Sequence, residues 1–272
     1  MNSENRIDTL FARLKSEGRP AMIAYITGGD PTLSASAQVA LSMEKSGVDL
    51  LELGIPFSDP LADGATIQAA AGRALAAGAS VAGILDLVRE IRMTSQIPIV
   101  LFAYLNPIYT YGFEKFQRDA AAAGADGLLL LDLPPQEAAR NTELASTHGL
   151  KTIRLIAPTT PPERLGEITD TAEGFIYYVS REGVTGEQSS LSTDIAERVA
   201  SIRALTKVPV AVGFGISNPE QAATVAALAD GVVVGSAIVR RIAEIGDTPE
   251  LPSKVAEFVR PIAEAVHGKM SG

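Results

Sequence analysis

The chain has no cysteine. Disulfides, thiolate nucleophiles and cysteine-held zinc or iron–sulfur centres are therefore excluded. Tryptophan is absent too, and aromatic residues make up only 5 % of the sequence, while Ala and Gly are plentiful. That balance suits helices packed closely on a sheet rather than a β-sandwich. Basic residues are outnumbered, 23 against 32 acidic ones, which leaves a net charge of −9. Binders of a nucleic-acid backbone display basic patches, so nucleic acid is not expected as a partner. A small anionic ligand stays possible, because it needs only a local site. Long apolar runs are lacking as well: none approaches the ~20 residues that cross a bilayer. The opening MNSENRIDTLFARLKSEG is polar and charged, unlike a secretory signal. A cytoplasmic protein without membrane contact is expected. No linker or low-complexity stretch interrupts the chain, so residues 1–272 read as a single domain.

What is present is a rhythm. A helix-like stretch ends near Gly, a short acidic turn follows, and an apolar run begins. It recurs in EKSGVDLLELG (44–54), AAAGADGLLLLDL (121–133) and AALADGVVVG (226–235). Five further apolar runs, at 21–27, 97–105, 151–157, 174–180 and 208–214, bring the candidate strands to eight. Their hydrophobicity is continuous rather than alternating, as in parallel strands covered on both faces. Helix-like segments lie between them, at 34–46, 81–94, 113–123, 136–148, 162–170, 194–206 and 219–229, with Ser34 and Ser217 as candidate caps. Eight strand–helix alternations are the arithmetic of a (β/α)8 barrel, the TIM barrel. An open doubly wound sheet is the rival, but no unit carries a dinucleotide G-x-G-x-x-G signature. Ahead of the first strand, Ile7, Leu10, Phe11 and Leu14 form one apolar stripe, so an extra N-terminal helix packs on the barrel.

In such barrels chemistry sits at the C-terminal ends of the strands. After the second strand come Glu52 and then Asp59 and Asp63 in a loop without a basic residue. Three readings stand for these acids. Glu52 and Asp63 act as an acid–base pair on opposite sides of a substrate, with Glu52 raised in pKa by Leu51, Leu53 and Ile55. Alternatively, all three hold a divalent metal, or they are loop caps and ion pairs. Asp132 follows the fourth strand. GFGIS (213–217) and VGSAIV (234–239) follow the seventh and eighth. Glycines there, with a helix start near Ser236, suit a phosphate held by backbone N–H groups, without Lys or Arg. The loop 180–190 is long and carries Gly183 and Gly186, as a closing lid would. Tyr25, Phe102, Tyr104 and Tyr177 are either ordinary core or the lining of a slot for a flat aromatic ring. His148 and His267 lie near helix ends away from the strand exits and read as structural or surface residues.

The stretch LELGIPFSDPLADG (51–64) resembles the most distinctive signature of the tryptophan synthase α-subunit family. TGGDP (27–31), YLNPI (104–108), DLP (132–134), SREGVTG (180–186), GFGIS and VGSAIV follow in that family's order, so the resemblance spans essentially the whole chain. It implies a lyase of tryptophan biosynthesis, which cleaves indole-3-glycerol phosphate into indole and glyceraldehyde 3-phosphate by a retro-aldol reaction. On this resemblance Glu52 is the general acid and base, and Asp63 hydrogen-bonds the indole N–H. Tyr177 stands near the reacting centre. Gly186, Gly215, Gly235 and Ser236 match the phosphate positions, with Phe214 contributing backbone, and Thr185 matches a lid threonine. Tyr25 and Phe102 stand where the family lines its indole pocket with Phe and Leu. The resemblance implies no metal or organic cofactor in this chain. Pyridoxal phosphate belongs to the β subunit, which receives the indole within an α2β2 heterotetramer. The loop around Asp59 and residues 106–112 would face that partner. A free-standing lyase and a non-catalytic phosphate-binding barrel are the alternatives.

Overall fold

The structure, a computed structural model, describes residues 5–180, 188–213 and 215–268, with only the backbone at 188–192. The expected lid, with Thr185 and Gly186, and Phe214 lie outside the described residues. Every expected strand forms: β1 (Ala21–Thr27), β2 (Leu50–Gly54), β3 (Ile99–Ala103), β4 (Gly127–Leu130), β5 (Lys151–Thr152), β6 (Arg154–Ile156), β7 (Ile176–Val179), β8 (Val210–Gly213) and β9 (Gly231–Val234). The fifth run is split in two at Ile153, whose N–H nonetheless reaches the Leu128 carbonyl at 2.9 Å. The sheet order is β5-β4-β3-β2-β1-β9-β8-β7-β6, parallel throughout. Because β5 runs directly into β6, the two ends of that order are one strand and the sheet closes into a parallel α/β barrel.

The helices among the described residues are α1 (Arg6–Glu17), α2 (Leu33–Lys45), α3 (Ala65–Ala76), α4 (Val81–Arg92), α5 (Leu105–Tyr111), α6 (Phe113–Ala123), α7 (Pro135–Thr147), α8 (Pro162–Asp170), α9 (Gln188–Arg203), α10 (Pro219–Ala226), α11 (Ser236–Ile245) and α12 (Leu251–Val266). Of these, α3, α5 and α12 have no counterpart in the sequence reading. Two caps are corrected. Thr32, not Ser34, accepts the Ala35 N–H, and Asn218, not Ser217, accepts the Gln221 N–H. In both cases the capping residue is the last one still extended, at φ −144° and −145°. None of the described helices is by itself long and apolar enough to cross a membrane.

Helix α1 is a plug. Its stripe of Ile7, Leu10, Phe11 and Leu14 is buried, and it joins one cluster with Ile23, Leu50, Val100, Leu129, Ile153, Phe175, Ala211 and Val233 inside the barrel. The Phe11 and Phe175 rings lie 5.7 Å apart. The larger cluster lies outside the sheet, where residues such as Leu51, Leu53 and Leu101 meet the surrounding helices. With the N-terminal end stopped, the open end is the C-terminal one.

The acidic turns turn out to be clasps. Asp49, ahead of β2, donates its N–H to the Met22 carbonyl at 2.8 Å and accepts the Met22 N–H at 2.9 Å. Asp126, ahead of β4, does the same to Ile99, both bonds at 2.8 Å. Asp230, ahead of β9, does so to Val210, again at 2.8 Å in both directions. Glu173, ahead of β7, repeats the arrangement on Thr152 at 2.8 and 3.3 Å. Each acid extends the ladder by one two-point pairing with the start of the neighbouring strand. Arginines neutralise the three aspartates: Arg19 on Asp49, Arg6 and Arg92 on Asp126, and Arg203 on Asp230. His267 adds a 2.8 Å bond to Asp49, which bears out its structural reading.

Candidate active site

The open end of the barrel holds a cavity of about 220 Å³. Tyr25, Glu52, Asp63, Phe102, Tyr177, Gly215, Gly235 and Ser236 all border it. The structure thus brings together eight of the eleven site residues expected from the sequence; the other three are those outside the described residues. Tyr104 is not among the lining residues. Nor do Leu51, Leu53 and Ile55 shield Glu52 inside the barrel, as adjacency in sequence implied. Side chains alternate along a strand, so those three face the outer helices. Glu52 instead has Tyr25 and Val100 as its register partners, both inside.

Glu52 is 0 % exposed and neither carboxylate oxygen has a hydrogen-bond partner among the described residues. Burial alone pushes its pKa from 4.5 up to about 8. At neutral pH it is a carboxylic acid with a proton to give. Two glycines make its surroundings possible. A Cβ on Gly54 would stand 2.2 Å from the Tyr25 hydroxyl, and one on Gly213 would stand 2.9 Å from the Tyr177 hydroxyl. Only glycine admits both rings at the top of the barrel. Tyr25 meets Phe102 edge-on at 5.2 Å, which completes an apolar wall. Burial raises the Tyr25 and Tyr177 phenols, with nearby Glu52 adding to it. Both therefore remain neutral.

Asp63 reaches the cavity from the loop after β2. Burial raises its pKa to about 6, against the lowering effect of a hydrogen bond from the Tyr104 hydroxyl. The same hydroxyl accepts the Ala62 N–H at 2.9 Å, and its ring packs on Phe57 at 5.4 Å. Tyr104 therefore holds the loop rather than the ligand. Nothing in sequence spacing links positions 104 and 63, which meet only because β3 lies beside β2. The loop's far end continues into α3, whose Arg73 grips Asp30 with two bonds of 2.8 Å. The TGGDP turn is thus tied to the acid-bearing loop. Asp59 is exposed and bonded to Ser58. Asp132 accepts the Leu105 N–H at 2.6 Å and fixes the start of α5. Among the described residues no three His, Cys, Asp or Glu side chains cluster as metal ligands would, and Glu52, Asp59 and Asp63 do not come together as such a group.

On the β8–β9 side of the cavity, Gly215 at φ +69° turns the chain after β8. Helix α11 starts at Ser236 without a side-chain cap. Its first N–H groups have no acceptor within the helix and border the cavity through Gly235, Ser236 and Ala237. Arg240 also lines this wall, a basic residue the sequence reading did not ask for.

A closed parallel barrel whose C-terminal end gathers a buried carboxylic acid, a second acid and the first N–H groups of a helix around one cavity has the form of an α/β-barrel enzyme. A model of the family described as tryptophan synthase alpha chain matches residues 11–267. The tryptophan synthase alpha chain of Geobacter sulfurreducens is 51 % identical over 262 residues, covering 96 % of this chain and 99 % of that one. That of Opitutus terrae is 50 % identical over 253 residues, 93 % and 95 % of the two chains. Among solved structures, the alpha subunit from Legionella pneumophila superimposes with a TM-score of 0.88 at 39 % identity, covering 98 % and 100 %. A chain of tryptophan synthase from M. tuberculosis, in an aminoacrylate-bound form, gives 0.86 at 34 % identity, covering 96 % and 99 %. The chain belongs to the tryptophan synthase alpha chain family and is an indole-3-glycerol-phosphate lyase. In this family the α chain works without a cofactor of its own, and pyridoxal phosphate resides in the β chain.

Proposed function

We propose that Glu52 carries the protons of this lyase and that Asp63 stabilises the charge on the ring. The observation that carries the proposal is Glu52 itself: fully buried, unpaired, and protonated at neutral pH on the floor of the cavity. Indole is a poor leaving group until C3 is protonated. Glu52 gives its proton to C3, and positive charge spreads to the ring nitrogen. Asp63 accepts the hydrogen bond of that N–H and offsets the charge. The bond between C3 and the side chain then breaks, and its electrons restore the aromatic ring. The adjacent hydroxyl loses its proton to Glu52 and becomes the aldehyde of glyceraldehyde 3-phosphate. Glu52 ends protonated, as it began.

The apolar wall of Tyr25 and Phe102 holds the indole, and Tyr177 packs beside the reacting carbon. Gly215, Gly235 and Ser236 bind the phosphate through backbone N–H groups and the dipole of α11. Thr185, Gly186 and Phe214 are assigned to the same site on family resemblance alone. The partner we propose is the β subunit, in an α2β2 assembly that accepts the indole. Its docking face includes the loop with Leu61, 92 % exposed, and α5 with Tyr109, 67 % exposed. We assign the chain to the cytoplasm as a single domain spanning residues 1–272. The test is incubation of the purified chain with indole-3-glycerol phosphate and an assay for indole, with and without a β subunit. Indole release that Glu52→Gln abolishes while substrate still binds is the expected result. Full turnover by Glu52→Gln would overturn the role of Glu52.

A further inference from the structure

Among the described residues lining the cavity, Arg240 is the one Lys or Arg. It stands four positions after Ser236, on the same face of α11. Side chains of a helix tilt toward its N-terminus, so the stem of Arg240 leads back over the turn that Ser236 opens. Its neighbour Arg241 points elsewhere in chemistry: it pairs with Glu244 at 3.2 Å. Arg240 has no hydrogen bond or ion pair among the described residues, whereas the arginines of the strand clasps are all paired. Arg240 is exposed and no carboxylate among the described residues holds it, so its distinguishing feature is its place beside the cavity.

The electrostatics of the cavity supply the explanation. Glu52 and Asp63 are its other ionisable carboxyl side chains, and Asp63 is charged above about pH 6. A phosphate monoester entering the same cavity brings close to two negative charges. A helix N-terminus offers only about half a positive charge. The N–H groups fix where the phosphate oxygens sit, but they leave the site short of positive charge.

We propose that Arg240 is the cation that balances the substrate phosphate, and that it makes the cavity selective for phosphorylated over unphosphorylated indolyl glycerol. The inference rests on the phosphate reading of Gly215, Gly235 and Ser236. Arg240 determines specificity and takes no part in moving protons.

The experiment compares Arg240→Gln and Arg240→Lys with the unaltered enzyme, using Arg241→Gln as the control on the same helix. Steady-state kinetics with indole-3-glycerol phosphate give KM and kcat. Direct binding of glycerol 3-phosphate gives an anion affinity independent of turnover. For Arg240→Gln, KM and the glycerol 3-phosphate dissociation constant should both rise about tenfold, ~1.4 kcal/mol. Its kcat should stay within about twofold, the pattern of lost uniform binding. The rise of KM with added salt should flatten, and Arg240→Lys should recover most of the affinity. A glycerol 3-phosphate affinity within about threefold of the unaltered enzyme overturns the proposal, as does a fall in kcat at unchanged KM. If the unaltered chain releases no indole, the underlying activity assignment fails instead, a result separable from tight anion binding by Arg240→Gln.

Discussion

Ionised Glu52 works against the fold. Its folded pKa is about 8 against an ordinary 4.5, so the native state keeps a proton that the unfolded chain has already released. Stability therefore falls as pH rises from about 4.5 through about 8. Glu52→Gln removes this cost. It should match the unaltered chain near pH 4 and exceed it above pH 8 by roughly 3–5 kcal/mol, read from denaturant midpoints. Equal stability at both ends would mean that the carboxylate is solvated after all. The same two groups shape activity. Asp63 must be charged and Glu52 protonated, so kcat/KM should rise through about pH 6 and fall through about pH 8. Asp63→Asn should lose the acidic limb and at least about tenfold in rate. A limb near pH 6 that survives in this variant would assign it to another group. Glu52 and Asp63 were legible in the sequence as acids at a strand exit. The value of about 8 was not, because the residues that desolvate Glu52 come from other strands.

At the scale of elements, one sequence rhythm produces joints of unequal strength. Asp126 and its partner Arg92 have side chains only 3 % and 10 % exposed, and Arg6 of α1 joins them. Asp230 and Arg203 are 41 % and 44 % exposed. Asp126→Ala strands a largely buried guanidinium and an Ile99 N–H, and should cost about 3–5 kcal/mol. Asp230→Ala should cost about 1 kcal/mol, since water screens the exposed pair. Comparable losses for the two variants, measured by urea unfolding, would show that the shared backbone pairing rather than burial sets the strength. The three Gly–Asp turns were visible in the sequence. Their two-point grip on the neighbouring strand was not, and Glu173, which stands before Gly174 as Asp230 stands before Gly231, is a fourth that the sequence pattern did not single out. Helices α3 and α5 were missed for a related reason. They follow strand-end loops directly, and the apolar and alanine-rich stretch of α3 lacks a capping side chain at Gly64.

For the molecule as a whole, the plug at one end and the cavity at the other give the barrel a direction. The docking face proposed for the β subunit carries the exposed Leu61 and Tyr109. Tyr109→Asp should weaken association with a β subunit by at least about tenfold, followed by calorimetric titration, because it buries a charge at the contact. Basal indole release should be unchanged, since Tyr109 touches none of the cavity. Undiminished association would move the docking face elsewhere on the barrel.

The sequence by itself determined the number and direction of the strands, the plug helix and the glycines at the strand ends. These follow from local periodicity and from the few residues that backbone turns tolerate. Tertiary structure decided which side chains share the interior. Alternation along each strand sends Leu51 and Leu53 outward and leaves Glu52 among Tyr25, Phe102 and Tyr177, drawn from β1, β3 and β7. The spacing of the carboxylates left acid–base chemistry, a metal site and loop caps open, and the family resemblance implied the first. Closure of the barrel supplies the low-dielectric enclosure that keeps one of the carboxylates protonated.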